Sequence, residues 1–540
     1  MKKNYLLALI SALLLWLGWP PMTYTAPLLW VAFVPLLLAL EDVMRGEYLK
    51  KGTKVFLLGG LTGLVWNTAS IYWVFNAMNA VMPVYAAAFV SLIPFGLAAV
   101  LMAFAFRLYY QLRKRYPIGW ALAGLISFWI AYEYLHQTWD LAFPWMTLGN
   151  GFANTHQLVQ WYEYTGVYGG TVWIWLTNIL VFLAILAARD GFPAVRRNGL
   201  AGAALGLIAL PSTWSLYHYS TYREHENPSN VVVVQPNVDP YGKFTFITPE
   251  AQVENLLRLS GSVAQPNTEF FIWPETAIAR QGGFNEDRFY EHPSFLRMQR
   301  FLDNYKNGNI LSGIESYRMY SSPETPTARA YDGVYYDAFN AAVLIENSAR
   351  LQYYHKSKLV AGVEQFPFGG ALAFMKPLFA AFGGSTGSYG KQDAPTVFYA
   401  QSGIGAAPVI CYESIWGNYV AEYVRQGAQF IAVITNDGWW GNTAGKDQHL
   451  AYAKLRAIET RRWVARSANT GISAFINQRG DVVQRTGWWE PAAIKQDINL
   501  NETITFYARS GDYLAYAGCF GAVVFGLMAL GTLRSRKNNH

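Results

Sequence analysis

Lysine and arginine are distributed along this chain in a way that dictates much of the fold. Neither occurs between Lys3 and Arg45, between Lys54 and Arg107, between Arg115 and Arg189, or between Arg197 and Arg223. One membrane-crossing helix needs about 20 apolar residues. Each of the first three gaps therefore holds a hairpin of two spans, and the fourth holds one. The expected spans are Tyr5–Trp19, Pro27–Leu40, Val55–Phe75, Val81–Phe106, Trp120–Leu135, Tyr168–Ala187 and Gly199–Leu216. A last apolar run, Tyr513–Leu533, stands just ahead of Arg534, Arg536 and Lys537. The composition agrees: 52% of residues are hydrophobic and 14% charged, against roughly 25% charged in soluble chains.

The basic clusters give these spans a direction. Lys2/Lys3, Arg45/Lys50/Lys51/Lys54, Arg107/Arg113/Lys114/Arg115 and Arg189/Arg196/Arg197 all fall on one side of the expected bilayer, which the positive-inside rule makes cytoplasmic. The opposite loops, around Pro20, Asn76 and Leu135–Val167, carry no Lys or Arg. The net charge of +7 is thus a matter of topology, and no nucleic-acid partner is implied. Hairpin after hairpin follows the first span, without a small-residue cleavage site, so that span is not a signal peptide. The stretch Phe143-Pro144-Trp145-Met146-Thr147-Leu148-Gly149-Asn150 is either a re-entrant or interfacial segment or an aromatic belt. Asn67, Thr68 and Ser70 lie mid-span and are expected to hydrogen-bond between helices.

From about Asn230 the texture changes. Val231–Gln235, Phe270–Trp273, Gly308–Gly313, Ala341–Glu346, Pro408–Ile410 and Ile431–Thr435 read as strands. Ser473–Asn477 and Val482–Gln484 read as a hairpin, and Glu250–Ser260 and Ala451–Trp463 as helices. The chain therefore divides into a multi-pass α-helical membrane domain (1–222, about seven helices), a layered α/β extracytoplasmic domain (228–505) and a last transmembrane helix (511–533). It contains no repeat, P-loop, G-x-G-x-x-G or H-E-x-x-H. The two cysteines, Cys411 and Cys519, form no disulfide framework, and the eight histidines are scattered. Neither a metal nor a cofactor is expected.

Three polar residues share one kind of position. Glu275 follows the strand Phe271-Ile272-Trp273 through Pro274, Lys356 follows Tyr353-Tyr354-His355, and Cys411 follows Val409-Ile410. Strand ends in a layered α/β fold converge on one edge, where such folds build sites. There a carboxylate serves as general base, an ammonium lowers the thiol pKa and faces an oxyanion, and the thiol becomes acylated. Taken singly, each has a structural alternative: Glu275 as a helix cap, Lys356 as a solvated charge, Cys411 as core filler.

At these positions the chain resembles the nitrilase superfamily and, within it, the membrane-embedded branch that N-acylates lipoproteins. The matching motifs are Trp273-Pro274-Glu275-Thr276-Ala277, Tyr354-His355-Lys356 with Leu359-Val360 and Glu364, and Ile410-Cys411-Tyr412-Glu413. Asn436-Asp437-Gly438-Trp439-Trp440 follows, with Gln448-His449 and Arg456; Phe143-Pro144-Trp145 and Gly149 match in the membrane half. The resemblance implies an α-β-β-α sandwich and a Glu275–Lys356–Cys411 triad. Cys411 would take an acyl chain from a phospholipid as a thioester. The α-amine of an N-terminal diacylglyceryl-cysteine on an apolipoprotein would then attack it. Glu364 would position Lys356 or the amine, Tyr412 would lend its backbone N–H to the oxyanion, and Glu413 would support the turn. Trp439, Trp440, Phe143 and Trp145 would touch substrate. The implied setting is a monomer in the bacterial inner membrane, with its catalytic domain facing the periplasm. A membrane-tethered amidase with the same triad is the alternative. Gly369–Gly390, Gly-flanked and apolar in the middle, is read either as a lid dipping into the outer leaflet or as a packed loop.

Overall fold

The computed structural model describes residues 1–80, 82–240, 247–368 and 388–537. All but the last three residues of the expected Gly369–Gly390 lid lie outside them. The chain separates into two compact units, one formed by Met1–Asn79, Pro83–Thr221 and the chain from Ser510, the other chiefly by Tyr222–Arg509.

The first unit is helical: α1 (Lys2–Leu17), α2 (Val34–Arg45), α3 (Lys51–Ile71), α4 (Trp73–Asn79), α5 (Val84–Arg113), α6 (Ile118–Thr138), α7 (Tyr162–Arg189), α8 (Ala194–Thr221) and a final helix at Tyr513–Lys537. Among the described residues, six stretches are long and apolar enough to cross a membrane, or seven when α3 and α4 count as one bent span. With 16 residues, α1 is shorter than a full span. The expected Pro27–Leu40 span is split into a 3-10 turn at Ala26–Trp30 and α2, each with a proline in its first turn. A proline fits that position better than a helix interior, where it removes a backbone hydrogen bond. The expected Val55–Phe75 span bends by 59° between α3 and α4. Beyond the bend Trp73 is buried, with its ring 4.8 Å from that of Trp145.

Ion pairs gather one end of this unit. Asp42 meets Lys3 and Arg189, each at 3.3 Å. Glu41 meets Arg45 at 2.6 Å and Arg113 at 3.3 Å, and Arg45 also meets Asp190 at 2.5 Å. The basic clusters at the ends of α1, α2, α5 and α7 thus share one side, as their spacing in the sequence requires. Within the bundle Asn67 donates to the carbonyl of Phe95 (3.4 Å), an interhelical bond of the expected kind.

The long loop between α6 and α7 folds into two 3-10 segments, Pro144–Met146 and Leu148–Leu158, and Leu148 to Ala153 are buried. Non-helical backbone so enclosed must find partners within the protein. Glu133 on α6 supplies several of them. Its Oε1 accepts from the Leu148 amide (2.8 Å) and Trp129 Nε1 (3.0 Å), and its Oε2 accepts from Thr171 on α7 (2.8 Å). Tyr162 donates to the Gly149 carbonyl (2.8 Å).

The second unit is a sandwich of two sheets. The larger contains β1 (Pro228–Gln235), β2 (Thr268–Ile272), β3 (Phe284–Asn285), β4 (Asn309–Tyr320), β5 (Arg329–Tyr331), β6 (Val334–Glu346), β7 (Leu351–His355) and, from late in the chain, a strand at Ala492–Asn499. Its order runs from that late strand through β1, β2, β4 and β6 to β5, with β3 on β4 and β7 on β6. The smaller sheet holds β8 (Phe398–Tyr399), β9 (Gly405–Ile410), β10 (Phe430–Thr435), β11 (Val464–Ala468), β12 (Ala474–Ile476) and β13 (Val482–Arg485), in order β13-β12-β11-β10-β9-β8. The period-2 alternation of strands divides the two faces. Val232, Val234 and Phe271 join a core with the helices Pro249–Val263 and Pro293–Leu302. Phe270, facing the other way, meets Phe430 of the smaller sheet at 5.0 Å. Ser467 of β11 also donates to the Val234 carbonyl across the sandwich (2.7 Å).

Replacing Glu133 by Ala strands three buried donors, which costs about 2–3 kcal/mol. The expected outcome is a lowered thermal midpoint for the detergent-solubilised chain, partly restored in Glu133→Gln, which keeps one carbonyl oxygen.

Candidate active site

The parallel strands β2, β9 and β10 end on the same edge of the sandwich, and the antiparallel β7 delivers its last residue there. Glu275, Lys356 and Cys411, which the sequence places after β2, β7 and β9, are brought together. Lys356 Nζ lies 3.0 Å from Glu275 Oε1 and 2.8 Å from Glu364 Oε1. The Cys411 thiol and the Glu275 carboxylate share a hydrogen bond. All four side chains are buried.

Glu364 reaches Lys356 because the chain turns tightly after β7. The Glu364 amide donates to the Val360 carbonyl (2.9 Å), and the Val360 amide donates back to Glu364 Oε2 (2.8 Å). A residue that sequence reasoning missed ties the two carboxylates together. Asn340 on β6 donates from Nδ2 to Glu275 Oε1 (2.8 Å) and Glu364 Oε1 (2.9 Å). Its only signal in the sequence is an amide side chain inside an apolar strand.

Electrostatics assigns the protons. Burial pushes Glu275 upward, but the Lys356 ammonium and the bonds from Asn340, Lys356 and Cys411 outweigh it and hold the carboxyl below its ordinary 4.5. Burial would strip the proton from Lys356, yet Glu275 and Glu364 keep it well above the ordinary lysine value. Burial raises the Cys411 thiol far above the ordinary cysteine range, and the negative charge of Glu275 adds to this; Lys356 offsets only part. Lys356 acts on the thiol in the expected downward direction, but burial and Glu275 prevail. The resting site is a neutral thiol beside an ionised carboxylate and an ammonium, and the thiol must lose its proton as it attacks.

The nucleophile sits on a strained turn. Cys411 has φ +49°, an uncommon conformation for a residue with a Cβ, and it opens the 3-10 turn Cys411–Ile415. Glu413 holds that turn. Its Oε1 accepts from Tyr354 (2.5 Å), the Ser357 amide (2.7 Å) and the Lys358 amide (3.2 Å), and its Oε2 accepts from the Ile410 amide (2.9 Å). Glu413 thereby joins the Cys411 turn to the Lys356 loop as a positioning residue. Behind them, Asp437 accepts from Thr435 (2.9 Å) and from His449 Nδ1 (3.0 Å) and is paired with Arg466. His449 Nε2 lies 2.8 Å from Ser414 Oγ. Burial would raise Asp437, but Arg466 and His449 bring it down to about 2.

Tyr412 is buried with its ring against Trp416 (4.8 Å). Trp440 packs on His449 (5.4 Å), whereas Trp439 is exposed. Phe143 and Trp145 belong to the helical unit. Trp145 is fully buried there and stacks with Phe143 (6.1 Å), which leaves it packing rather than presenting an open face. Among the described residues no group of three or more His, Cys, Asp or Glu could hold a metal ion.

Residues 11–180 match the model of the apolipoprotein N-acyltransferase N-terminal domain, and residues 230–507 match that of the carbon-nitrogen hydrolases. An apolipoprotein N-acyltransferase of Chlorobaculum tepidum is 31% identical over 98% of this chain and 96% of its own length. One of Geobacter metallireducens is 29% identical over 98% and 95%. A solved amidase from Nesterenkonia sp. is 13% identical over 55% of this chain and 98% of its own, with a TM-score of 0.35.

Gly313 on β4 supports the base by its lack of a side chain. A Cβ there would meet the Thr276 amide nitrogen, with Glu275 Cα at 2.6 Å and the Pro274 carbonyl oxygen at 2.7 Å. Gly313→Ala is expected to lower acylation of Cys411 about 10²-fold by displacing Glu275, as read from the rate of acyl-enzyme formation. The pH profile provides a second check. A base acts when ionised, so its activity is present above its pKa and lost as pH falls through it. With Glu275 held below 4.5, acylation is expected to stay flat through the neutral range and fall only below that value. Glu275→Gln should be slower by about 10²–10⁴, with a rate that rises with pH as hydroxide takes over. An acid limb near neutrality in the wild type would refute this assignment.

Proposed function

This chain belongs to the apolipoprotein N-acyltransferases of the carbon-nitrogen hydrolase family, and from that premise we propose that it transfers an acyl chain from a phospholipid to the N-terminal amine of diacylated lipoproteins through a thioester on Cys411. The observation that carries the reading is a similarity spanning both units, 98% of the chain, rather than the hydrolase domain alone.

In the first half-reaction Glu275 takes the thiol proton as Cys411 Sγ attacks the ester carbonyl. Lys356 and the Tyr412 backbone N–H stabilise the oxyanion. Collapse breaks the ester C–O bond, and Glu275 protonates the leaving lysophospholipid oxygen. In the second half the amine of the diacylglyceryl-cysteine attacks the thioester. Glu275 accepts the amine proton and returns it to the departing sulfur, which leaves an amide and a free thiol. Glu364 and Asn340 keep Lys356 and Glu275 in register through both halves. Trp439, the exposed aromatic after Asp437, is proposed to meet substrate.

The proposed location is the bacterial inner membrane, with the catalytic domain on the periplasmic side. Its support is the shared, ion-paired end of the basic clusters together with the positive-inside rule.

Incubating the purified chain with a phospholipid of defined acyl composition should add the mass of one acyl chain. The adduct should be removed by hydroxylamine and absent in Cys411→Ala. Adding a diacylated lipopeptide should discharge it onto the peptide amine. Discharge to water at the same rate with and without the lipopeptide would instead favour an amidase-like hydrolase.

A further inference from the structure

The basic residues near the ion-paired end of the helical unit fall into two sets. Lys3, Arg45, Arg113 and Arg189 each meet a carboxylate. Lys50, Lys51 and Arg107 have no carboxylate partner among the described residues. Instead they line, together with Lys114 and Tyr110, a cavity of about 390 Å³ between the α2–α3 connection and the end of α5, and none of its lining residues is acidic. Lys50, Lys51 and Arg107 around one hollow repel one another, and an anion placed among them relieves the repulsion.

The hollow is organised. The Arg107 guanidinium lies 5.4 Å from the centroid of the Tyr110 ring, and Lys114 Nζ lies 5.2 Å from the same ring. The side-chain amide of the buried Gln111 lies between the Arg107 guanidinium and Lys114, whose Nζ donates to its oxygen at 3.4 Å. Gly52 lets Arg107 and Tyr110 pack directly against the start of α3. A Cβ at this position would stand 2.8 Å from Arg107 Cζ and 2.9 Å from Tyr110 Cε1. Charge attraction at a membrane surface requires none of this. Scattered lysines satisfy the positive-inside rule equally well, whereas a guanidinium held in place between Gly52 and the Tyr110 ring suits a phosphate.

Apolar side chains adjoin the pocket on both sides. Leu49, next to Lys50, is 87% exposed, and Phe104, one turn before Arg107, is 51% exposed. A phosphate with acyl chains attached matches this combination better than a soluble anion does.

We infer that the Lys50–Lys51–Arg107–Lys114 pocket binds the phosphate of an anionic phospholipid in the leaflet at that end of the bundle. With the topology proposed above, this is the cytoplasmic leaflet, so the lipid held here is a resident one and not the acyl donor.

Hydrogen exchange of the full chain in nanodiscs tests the assignment locally. Residues 46–56 and 104–115 are followed in phosphatidylcholine alone, in phosphatidylcholine with phosphatidylglycerol, and in phosphatidylcholine with millimolar inorganic phosphate. Slower exchange in both segments with phosphatidylglycerol only is the expected result. Arg107→Gln should raise the phosphatidylglycerol fraction needed for half-maximal protection roughly fivefold, as about 1 kcal/mol per surface cation implies. Gly52→Ala, which keeps every charge but pushes the Arg107 guanidinium from its place, should remove most of the protection. Three results would overturn the assignment: no phosphatidylglycerol effect in the wild type, equal protection by inorganic phosphate, or full protection in Gly52→Ala. Acyl-enzyme formation at Cys411, measured on the same samples, reports separately on the acyltransferase reading and on whether each variant is folded.

Discussion

A single buried ammonium holds the catalytic unit in its working form. Lys356 is 1% exposed, and a charge so placed is tolerated only when it is paired and hydrogen-bonded. Its partners, Glu275 and Glu364, come from different connections, and Asn340 bridges them from a third element. Each carboxylate is equally in need of the ammonium. Removing the ammonium leaves two buried carboxylates side by side with no cation between them. The strand ends of β2, β6, β7 and β9 are therefore locked together by charge balance as well as by packing. The same balance leaves one negative charge beside Cys411, which is why the thiol stays protonated until substrate arrives.

The two glutamates nearest Cys411 show how environment assigns role. Glu275 faces an ammonium and is held ionised below 4.5, ready to take a proton. Glu413 is fully buried, accepts four hydrogen bonds from neutral donors, and is pushed upward by burial. Three of those bonds fall on Oε1 and one on Oε2, so both oxygens are tied into the turn. Its work is to keep Cys411 at φ +49° against the pull toward an ordinary extended backbone. The Asp437–His449 pair behind the turn acts from the other side, with Asp437 held at about 2 by Arg466 and His449.

The positions of Glu275, Lys356 and Cys411 were legible because each follows a short apolar strand, and a layered α/β fold brings such ends to one edge. Glu364 was legible only through a motif, since nothing local reveals that Val360–Gln365 closes on itself. Asn340 showed only as an amide inside an apolar strand and Gly313 carried no signal, because their importance lies in cross-strand register, which pairs residues far apart in sequence. The net direction of the Cys411 shift was not legible for a related reason. A sequence shows which charges are present but not how deeply they are buried, and burial decides here. In the helical unit the apolar runs and their charged borders were plain. The break after Ile71 was not, because it arises where Trp73 packs on Trp145, some seventy residues away in the chain.

The site does not by itself choose between water and an amine. Glu275 and Lys356 manage protons and an oxyanion, and both services are needed whichever nucleophile resolves the thioester. Selection must come from what is delivered to Cys411 and what is kept from it. A tether would require one helix. This chain instead builds a packed helical unit with a satisfied buried carboxylate at Glu133, an enclosed 3-10 segment at Pro144–Leu158 and a network of ion pairs at one end. Order of that kind has a cost in conformational entropy that anchoring alone does not demand. The family model matched by residues 11–180 covers this helical unit. The likeness to the family accordingly spans both units, and the arrangement of Glu275, Lys356 and Cys411 alone does not distinguish an amine from water.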